Sequence, residues 1–496
     1  MNPSRTISQF VGLLLFCGFV ACDQPARDSS EASQRPGVGL AQTGNDNITP
    51  DESLPIRATQ LTTTPPAAAP VAATPADRFD WPRFLGKNFD GVAENADVNL
   101  DWTVPPTIAW KLEVGDGYGL GCIDNGRYYH ADSIRQGNQL MDRLRAFNLV
   151  DATLIWSVQR PLVYRDMLGY EAGPRGTPTT DGNSIITFGC DGLLSCRDVV
   201  DGRLKWSVDT SEKYGVVQNF FGVGASPLLL DSKVIVPVGG SPAEDQDVAP
   251  GRLDRVIPNG SALVAFDIET GNPIWQGGDD LSSYSSPRPM QIGSKPAVLY
   301  FAREHLLAVD PADGKMLWKH RHRADILESV NAMMPIVDGQ NIFISECYQV
   351  GSVLLNASAD PPTAIWQDPP RDRRSQAMRC HWSTPILVDG YLYGCSGRNN
   401  PDSDFRCVEL ATGKVQWSDD RRVRTSIARA GEHLIVLDEK GKLQIIRPNT
   451  GRLDVVAEYD FASEIQWPCW AAPIIIGNRL LIRGDNHVLC LTIPTR

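Results

Sequence analysis

Apolar and polar positions alternate along most of the chain from residue 110 onward, in short runs with the two-residue period of half-buried strands. A turn interrupts each run, and a tryptophan returns four residues after the turn glycine. Ala265-Phe266-Asp267-Ile268-Glu269-Thr270-Gly271 leads to Trp275, and Ala308-Val309-Asp310-Pro311-Ala312-Asp313-Gly314 leads to Trp318. Cys196-Arg197-Asp198 runs through Asp201-Gly202 to Trp206, Cys407-Val408-Glu409 through Thr412-Gly413 to Trp417, and Ala146-Phe147-Asn148 through Asp151-Ala152 to Trp156. Two copies replace the glycine turn by Pro-Pro-Thr, at Pro105-Pro106-Thr107 before Trp110 and Pro361-Pro362-Thr363 before Trp366. A last copy, Thr450-Gly451, has Val455 at the tryptophan position.

Each copy predicts a hairpin. The acidic or amide residue bonds nearby backbone N–H groups, glycine takes the positive φ of the turn, and the Trp ring packs on a neighbouring sheet. A second strand pair precedes each hairpin and opens on a proline, as in Thr177-Pro178, Ser226-Pro227, Met334-Pro335 and Thr384-Pro385. About four strands therefore repeat every roughly 40–50 residues, which is the propeller period. The repeat begins with a lone outer strand from Thr107 and ends on inner strands without a tryptophan. The first strand is thus expected to complete the last blade. The predicted fold is all-β: an eight-bladed propeller of four-stranded antiparallel blades, closed so that no sheet edge stays open at the join.

The Ala-x-Asp-x-x-Thr-Gly-x-x-x-Trp unit resembles the pyrroloquinoline quinone (PQQ)-type β-propeller repeat. Trp81-Pro82-Arg83-Phe84-Leu85-Gly86 with Asp90-Gly91-Val92 resembles the entry motif of bacterial secreted proteins built from that repeat. The resemblance covers residues 79–496 and implies a fold more than an activity. The repeat occurs in quinoprotein dehydrogenases and in non-catalytic scaffolds such as BamB, the lipoprotein of outer-membrane-protein assembly. The dehydrogenase branch implies a vicinal Cys-Cys disulfide, a tryptophan under the cofactor, a calcium on carboxylate and amide oxygens, and an Asp base. No Cys-Cys pair occurs in this chain. The expectation is therefore a non-catalytic scaffold for protein–protein interaction in cell-envelope or outer-membrane-protein assembly, with no catalytic, cofactor or metal residues. The alternatives are a PQQ- and calcium-dependent oxidoreductase and a glycan- or small-ligand-binding propeller.

The N-terminal region places the protein outside the cytoplasm. Arg5 precedes an apolar stretch at residues 10–20, too short for a bilayer span of ~20 residues. Phe19-Val20-Ala21-Cys22 resembles a lipobox, with Phe19 where leucine is usual. Residues 1–22 thus read as a lipoprotein signal peptide and Cys22 as the acylated residue. Residues 23–78, rich in Pro, Ala and Thr, hold too little apolar content to fold and read as a tether with a reach of roughly 40 Å. The implied protein is a monomeric, periplasmic propeller on the inner or outer membrane, held in the bilayer by its acyl anchor and engaging an envelope protein. A formal charge of -12 argues against nucleic acid.

Other chemistry is sparse. There is no Gly-rich nucleotide loop at a strand–helix junction, no Walker loop and no Cys-x-x-Cys. His320 and His322, within Lys319-His320-Arg321-His322-Arg323, read as a solvated basic loop rather than a metal pair. Nine cysteines remain after Cys17 and Cys22. Burial of small apolar thiols in strands is the expectation for them, while Cys190/Cys196 and Cys395/Cys407 stay near enough across turns to leave a disulfide open.

Candidate binding residues fall on one face, which carries the inter-blade loops and the loops between second and third strands. It includes the insertion at residues 239–261, the loop at 396–405, and three net-positive loops: Lys319 to Arg323; the run Arg371, Arg373, Arg374 and Arg379; and Arg421, Arg422 and Arg424. A basic sector favours an acidic partner or an anionic glycan. The position three before the strand-opening proline is Arg175, Tyr284, Trp382 or Trp470, able to ring the channel mouth, and His381 is a further polar residue there. Trp110, Trp156, Trp206, Trp275, Trp318, Trp366 and Trp417 are assigned to the scaffold.

Overall fold

The structure, a computed structural model, describes residues 80–94 and 98–496; the signal-peptide and tether readings, Cys22 included, lie outside the described residues. Eight antiparallel sheets follow one another along the chain, almost without helix. Blade 1 runs from Cys122–Asp124 to Leu154–Pro161, blade 2 from Thr179–Thr180 to Leu204–Asp209, blade 3 from Leu228–Leu230 to Pro273–Gly277, and blade 4 from Arg288–Ile292 to Met316–Arg321. Blade 5 runs from Ile336–Asp338 to Thr363–Gln367, blade 6 from Ile386–Val388 to Val415–Asp419, and blade 7 from Thr425–Ala430 to Val455–Asp460. Blade 8 takes its three inner strands, Ile474–Ile476, Arg479–Arg483 and His487–Thr492, from the C-terminus and its outer strand, Thr107–Glu113, from the N-terminal side. Trp110 pairs with Cys490 across that join, so the ring closes as the sequence predicts.

The spacing of glycine and tryptophan has a packing cause. Six of the seven seam tryptophans donate the indole N–H to a turn carbonyl of the next blade: Trp156 to Val199 at 3.0 Å, Trp206 to Ile268 at 2.8 Å, Trp275 to Pro311 at 3.0 Å. Trp110, Trp366 and Trp417 do the same towards Leu149, Leu410 and Asn449. In four of these seams the turn glycine of the next blade lies under the ring. A Cβ on Gly271 would fall 2.6 Å from Trp206, and one on Gly314 would fall 2.5 Å from Trp275. Both glycines also have φ near +70°, so two independent constraints select glycine at one position.

Departures from the repeat fall where the seams differ. Blade 5 has Pro361-Pro362 in place of the turn glycine, and the Trp318 indole N–H facing that seam is buried without a partner. In blade 7 the tryptophan position is Ala457, not Val455: Ala457 pairs with Ile445 as Trp275 pairs with Ala265, and Val455 lies on the far side of the strand bulge. The bulge itself is shared with the other blades; the turn of blade 7 is two residues longer, so a count of four from Gly451 stops two residues short. This seam is closed by the entry segment instead. Leu100 bridges to Thr495, Asp101 donates to the Pro494 carbonyl at 2.7 Å, and buried Trp102 packs in the same cluster as Ala457.

The strand-opening prolines follow a Ser or Thr that links adjacent blades. The Thr177 N–H donates to the Ser226 hydroxyl at 2.8 Å, Ser226 N–H to Ser286 at 2.9 Å, and Met334 N–H to Thr384 at 3.0 Å. Proline cannot donate, so the residue before it carries the inter-blade bond.

The entry segment crosses the channel at the end opposite the inter-blade loops. Trp81 bridges Ile123 of blade 1, and the Thr180 N–H of blade 2 donates to Pro82. Leu85 and Phe89 pack with Leu228 of blade 3 and Val298 of blade 4, and the Arg288 guanidinium donates to the Phe89 carbonyl at 3.3 Å. Val92–Ala93 then pair in parallel with Arg429 and Ala430 on the channel side of blade 7. Leu85 and Phe89 hold positive φ, a strained conformation that turns both side chains into the core.

Candidate functional site

The opposite end of the channel is the mouth where Arg175, Tyr284, Trp382 and Trp470 stand, each in an inter-blade loop just upstream of an inner strand. The structure joins these four through aromatic residues that spacing did not single out. Trp470 lies 5.3 Å from Trp382, 5.0 Å from Tyr118 and 6.1 Å from Tyr170. Tyr170 meets Phe221 at 5.4 Å, and Phe221 meets Tyr284 at 5.5 Å. His381 stacks beside Trp382 at 4.9 Å and reaches Tyr348. The rings therefore form one connected strip from the loop before blade 4, across Trp470, to blade 5. Arg175 covers the faces of Tyr118, Tyr164 and Phe221 and is fixed by Asp166 at 2.8 Å. Arg424 sits 4.8 Å from both Trp382 and Trp470, bound to Glu439 at 2.6 Å. Glu439 also accepts the Trp470 indole N–H at 3.0 Å.

Tyr118, Tyr170 and Phe221 had one signal in the sequence: each is an aromatic residue within a glycine-rich inter-blade loop, as in Gly117-Tyr118-Gly119. Glycine there permits close loop packing, so a ring beside it is displayed rather than buried in a sheet.

Electrostatics separate the mouth from the rest of the face. Burial, with Arg398 and Arg424 nearby, pushes His381 down to about 3, so its imidazole is neutral at physiological pH. Burial, the hydrogen bond and charge of Asp485, and the charge of Asp116 push Glu171 up to about 8. Among the described residues, no three His, Cys, Asp or Glu side chains converge as a metal site. All nine described cysteines are buried free thiols.

The Arg-rich sector is mostly structural. Buried Arg379 binds Asp402 at 2.7 Å, Arg373 binds the same carboxylate, and Arg422 binds Asp419 at 2.9 Å while covering Phe405. Arg374 and Arg421 are exposed and make no ion pair with another described residue. The His320–His322 segment is not a solvated loop. His320 lies in the outer strand of blade 4, and His322 is 1% exposed with its Nε2 2.9 Å from the Gly351 carbonyl. Burial lowers His322 to about 4, because the segment turns inward to pack on Phe301.

Exposed large apolar side chains add a second feature. Those of the outer strands, Ile108, Leu154, Leu204, Ile274, Met316, Ile365 and Val455, recur just ahead of the seam position. Val163 (92% exposed), Met167, Leu168 and Ile257 do not. They lie on the loop between blades 1 and 2 and on the insertion of blade 3, on the mouth face. Met167 and Phe220 both lie against Gly251 of the insertion, and Phe220 neighbours Phe221 of the aromatic strip.

Residues 140–418 match the family model of the outer membrane protein assembly factor BamB. The chain is 24% identical over 297 residues to an uncharacterised protein of Rickettsia prowazekii, covering 57% of this chain and 62% of that one. It is 24% identical over 287 residues to the outer membrane protein assembly factor BamB of Yersinia pestis, covering 55% and 64%. It thus spans less than two thirds of the curated relatives it matches. Among solved structures, BamB of Moraxella catarrhalis is similar at a TM-score of 0.51 and 14% identity, covering 79% of this chain and 99% of that one. A europium-containing methanol dehydrogenase is similar at 0.61 and 11%, covering 84% and 98%. At such identities the structural likeness is one of fold.

Proposed function

Since the chain belongs to the family of the outer membrane protein assembly factor BamB, we propose that it is an extracytoplasmic, non-catalytic scaffold that docks an envelope protein on its mouth face. The observation that carries this reading is the set of exposed apolar side chains Val163, Met167, Leu168 and Ile257 on loops of the mouth face, off the repeating pattern. With the entry segment across one end of the channel and packed rings across the other, recognition falls to the loop surface. Exposed apolar side chains rimmed by polar loops are the anatomy of a docking patch. Arg374 and Arg421 supply unpaired positive charge at the rim for an acidic segment. Cys22 and the tether then hold a monomeric disc near a membrane with freedom to reach the partner.

A quinone-dependent oxidoreductase fits these residues less well. Trp382, Trp470 and Arg424 pack against one another at 4.8–5.3 Å, so a flat cofactor would have to displace them. Neither do carboxylates converge there around a cation. The reading is tested by photocrosslinking in the envelope from positions 168 and 257, with position 200, in the hairpin turn on the opposite face, as control. Adducts to an outer-membrane-assembly protein from 168 and 257 but not from 200 are expected. Equal labelling from all three positions, or none, would sink the proposal.

A further inference from the structure

Beside the Trp382 ring lies a small polar cavity. It is lined by His381, Trp382 and Ser383 of the loop before blade 6, by Cys395 and Gly397 at the end of that blade's second strand, and by Arg424 and Thr425 at the start of blade 7. The centre of a water-sized atom has about 10 Å³ to occupy there, which is room for one particle. Three buried polar atoms of these residues make no hydrogen bond within the protein: Trp382 Nε1, Thr425 Oγ1 and His381 Nδ1. Thr425 is only 2% exposed, and the Cys395 thiol beside it is a weak partner. A buried donor without an acceptor is destabilising, so such a group marks a place for one.

The chemistry of these atoms is one-sided. An indole N–H only donates, and a hydroxyl can donate. His381 is neutral, and with Nε2 facing the Tyr348 hydroxyl at 3.4 Å its Nδ1 can carry the ring proton. The charges that act on His381 are those of Arg398 and Arg424, both positive. Arg424 is bound to Glu439 through Nε and Nη2, and its Nη1 reaches only Asn399, at 3.5 Å. Burial keeps the Cys395 thiol protonated, so it adds no charge.

We propose that this cavity is a halide site, in which one chloride accepts hydrogen bonds from Trp382, Thr425 and His381. Sulfate, phosphate and carboxylate groups are too large for a space of one particle. A metal cation would meet donors and arginine charge. Water fits by size, but it accepts only two hydrogen bonds and brings no charge to meet the arginines. The ion ties the loop before blade 6 to the first strand of blade 7, and so fixes the Trp382 ring against Trp470 and Arg424. This role is independent of what docks on the face.

The test compares the full chain in sodium chloride or bromide with sodium gluconate at equal ionic strength, so that screening is constant. A saturable rise of the thermal midpoint in the halide salts, absent in gluconate, is expected. In crystals grown in bromide, the anomalous signal should place one bromide within hydrogen-bond distance of Trp382 Nε1 and Thr425 Oγ1. Trp382→Phe keeps a ring and removes the N–H, and should raise the half-maximal halide concentration on the order of tenfold. Thr425→Val removes the hydroxyl at nearly constant volume, should act in the same direction, and serves if the first variant fails to fold. Bromide in the crystal without a halide response in solution would mean an adventitious ion only and would overturn the site. Water alone in the cavity, or a halide response unchanged in the folded variants, would overturn it as well.

Discussion

Tryptophan serves two regions of this molecule in opposite ways. In a seam such as that of Trp275, the ring is almost fully buried, lies on a glycine of the neighbouring blade and spends its N–H on that blade's carbonyl. At the mouth, Trp382, Trp467 and Trp470 are half-buried, touch one another and touch arginine. Only Trp470 there has an indole bond to a side chain, and the Trp382 N–H is buried without a partner. The difference teaches that what sits under a ring, a glycine turn or another ring, decides whether the tryptophan fixes the fold or forms a surface.

The largest break in that contrast should come at a seam. Trp275→Ala should cost about 3–5 kcal/mol in urea unfolding, with Gly314→Val, whose Cβ would collide with the same ring, destabilising in the same direction. A sharper cut compares indole bonds. Trp275→Phe leaves the Pro311 carbonyl unpaired and should cost roughly 1–2 kcal/mol more than Trp318→Phe, where no bond is lost. Trp470→Ala should leave the ring folded and reduce crosslinking from the docking face, a separation that a purely structural tryptophan would not show.

The pH dependence sharpens the contrast further. Glu171 is raised, so the folded state keeps a proton that the unfolded chain has lost, and stability falls as pH rises from the ordinary value of 4.5 towards about 8. Glu171→Gln should flatten that slope in thermal melts, whereas seam substitutions should leave it intact. Smallest of all, Arg374→Glu should shift stability by no more than about 0.5 kcal/mol while changing the salt dependence of partner association.

The fold was legible in the sequence because the repeat records one packing requirement again and again, with a seam tryptophan in seven of its eight copies. The glycine, the tryptophan four residues on and the Ser/Thr-Pro opening each satisfy the neighbouring blade as well as their own. Val455 was misplaced because the turn of blade 7 is two residues longer than the others, which a fixed count from the glycine does not allow for. The mouth was half legible. Arg175, Tyr284, Trp382 and Trp470 share one position relative to a proline, so periodicity finds them. Tyr118, Glu171 and Asp485 come from loops of unequal length and meet only when the ring closes. Loop charge was the least legible feature, because the count of arginines says nothing of Asp402 or Glu439 waiting beside them.

The closing blade has a consequence in time. The strand at Thr107–Glu113 is made well before its partner His487–Thr492. Arg483 must likewise find Gly115 across 368 residues of chain. A growing chain therefore carries an unpaired strand and an unseated channel segment until that partner arrives. A truncation of the final strand should be met by proteases or by aggregation rather than yield a shorter propeller.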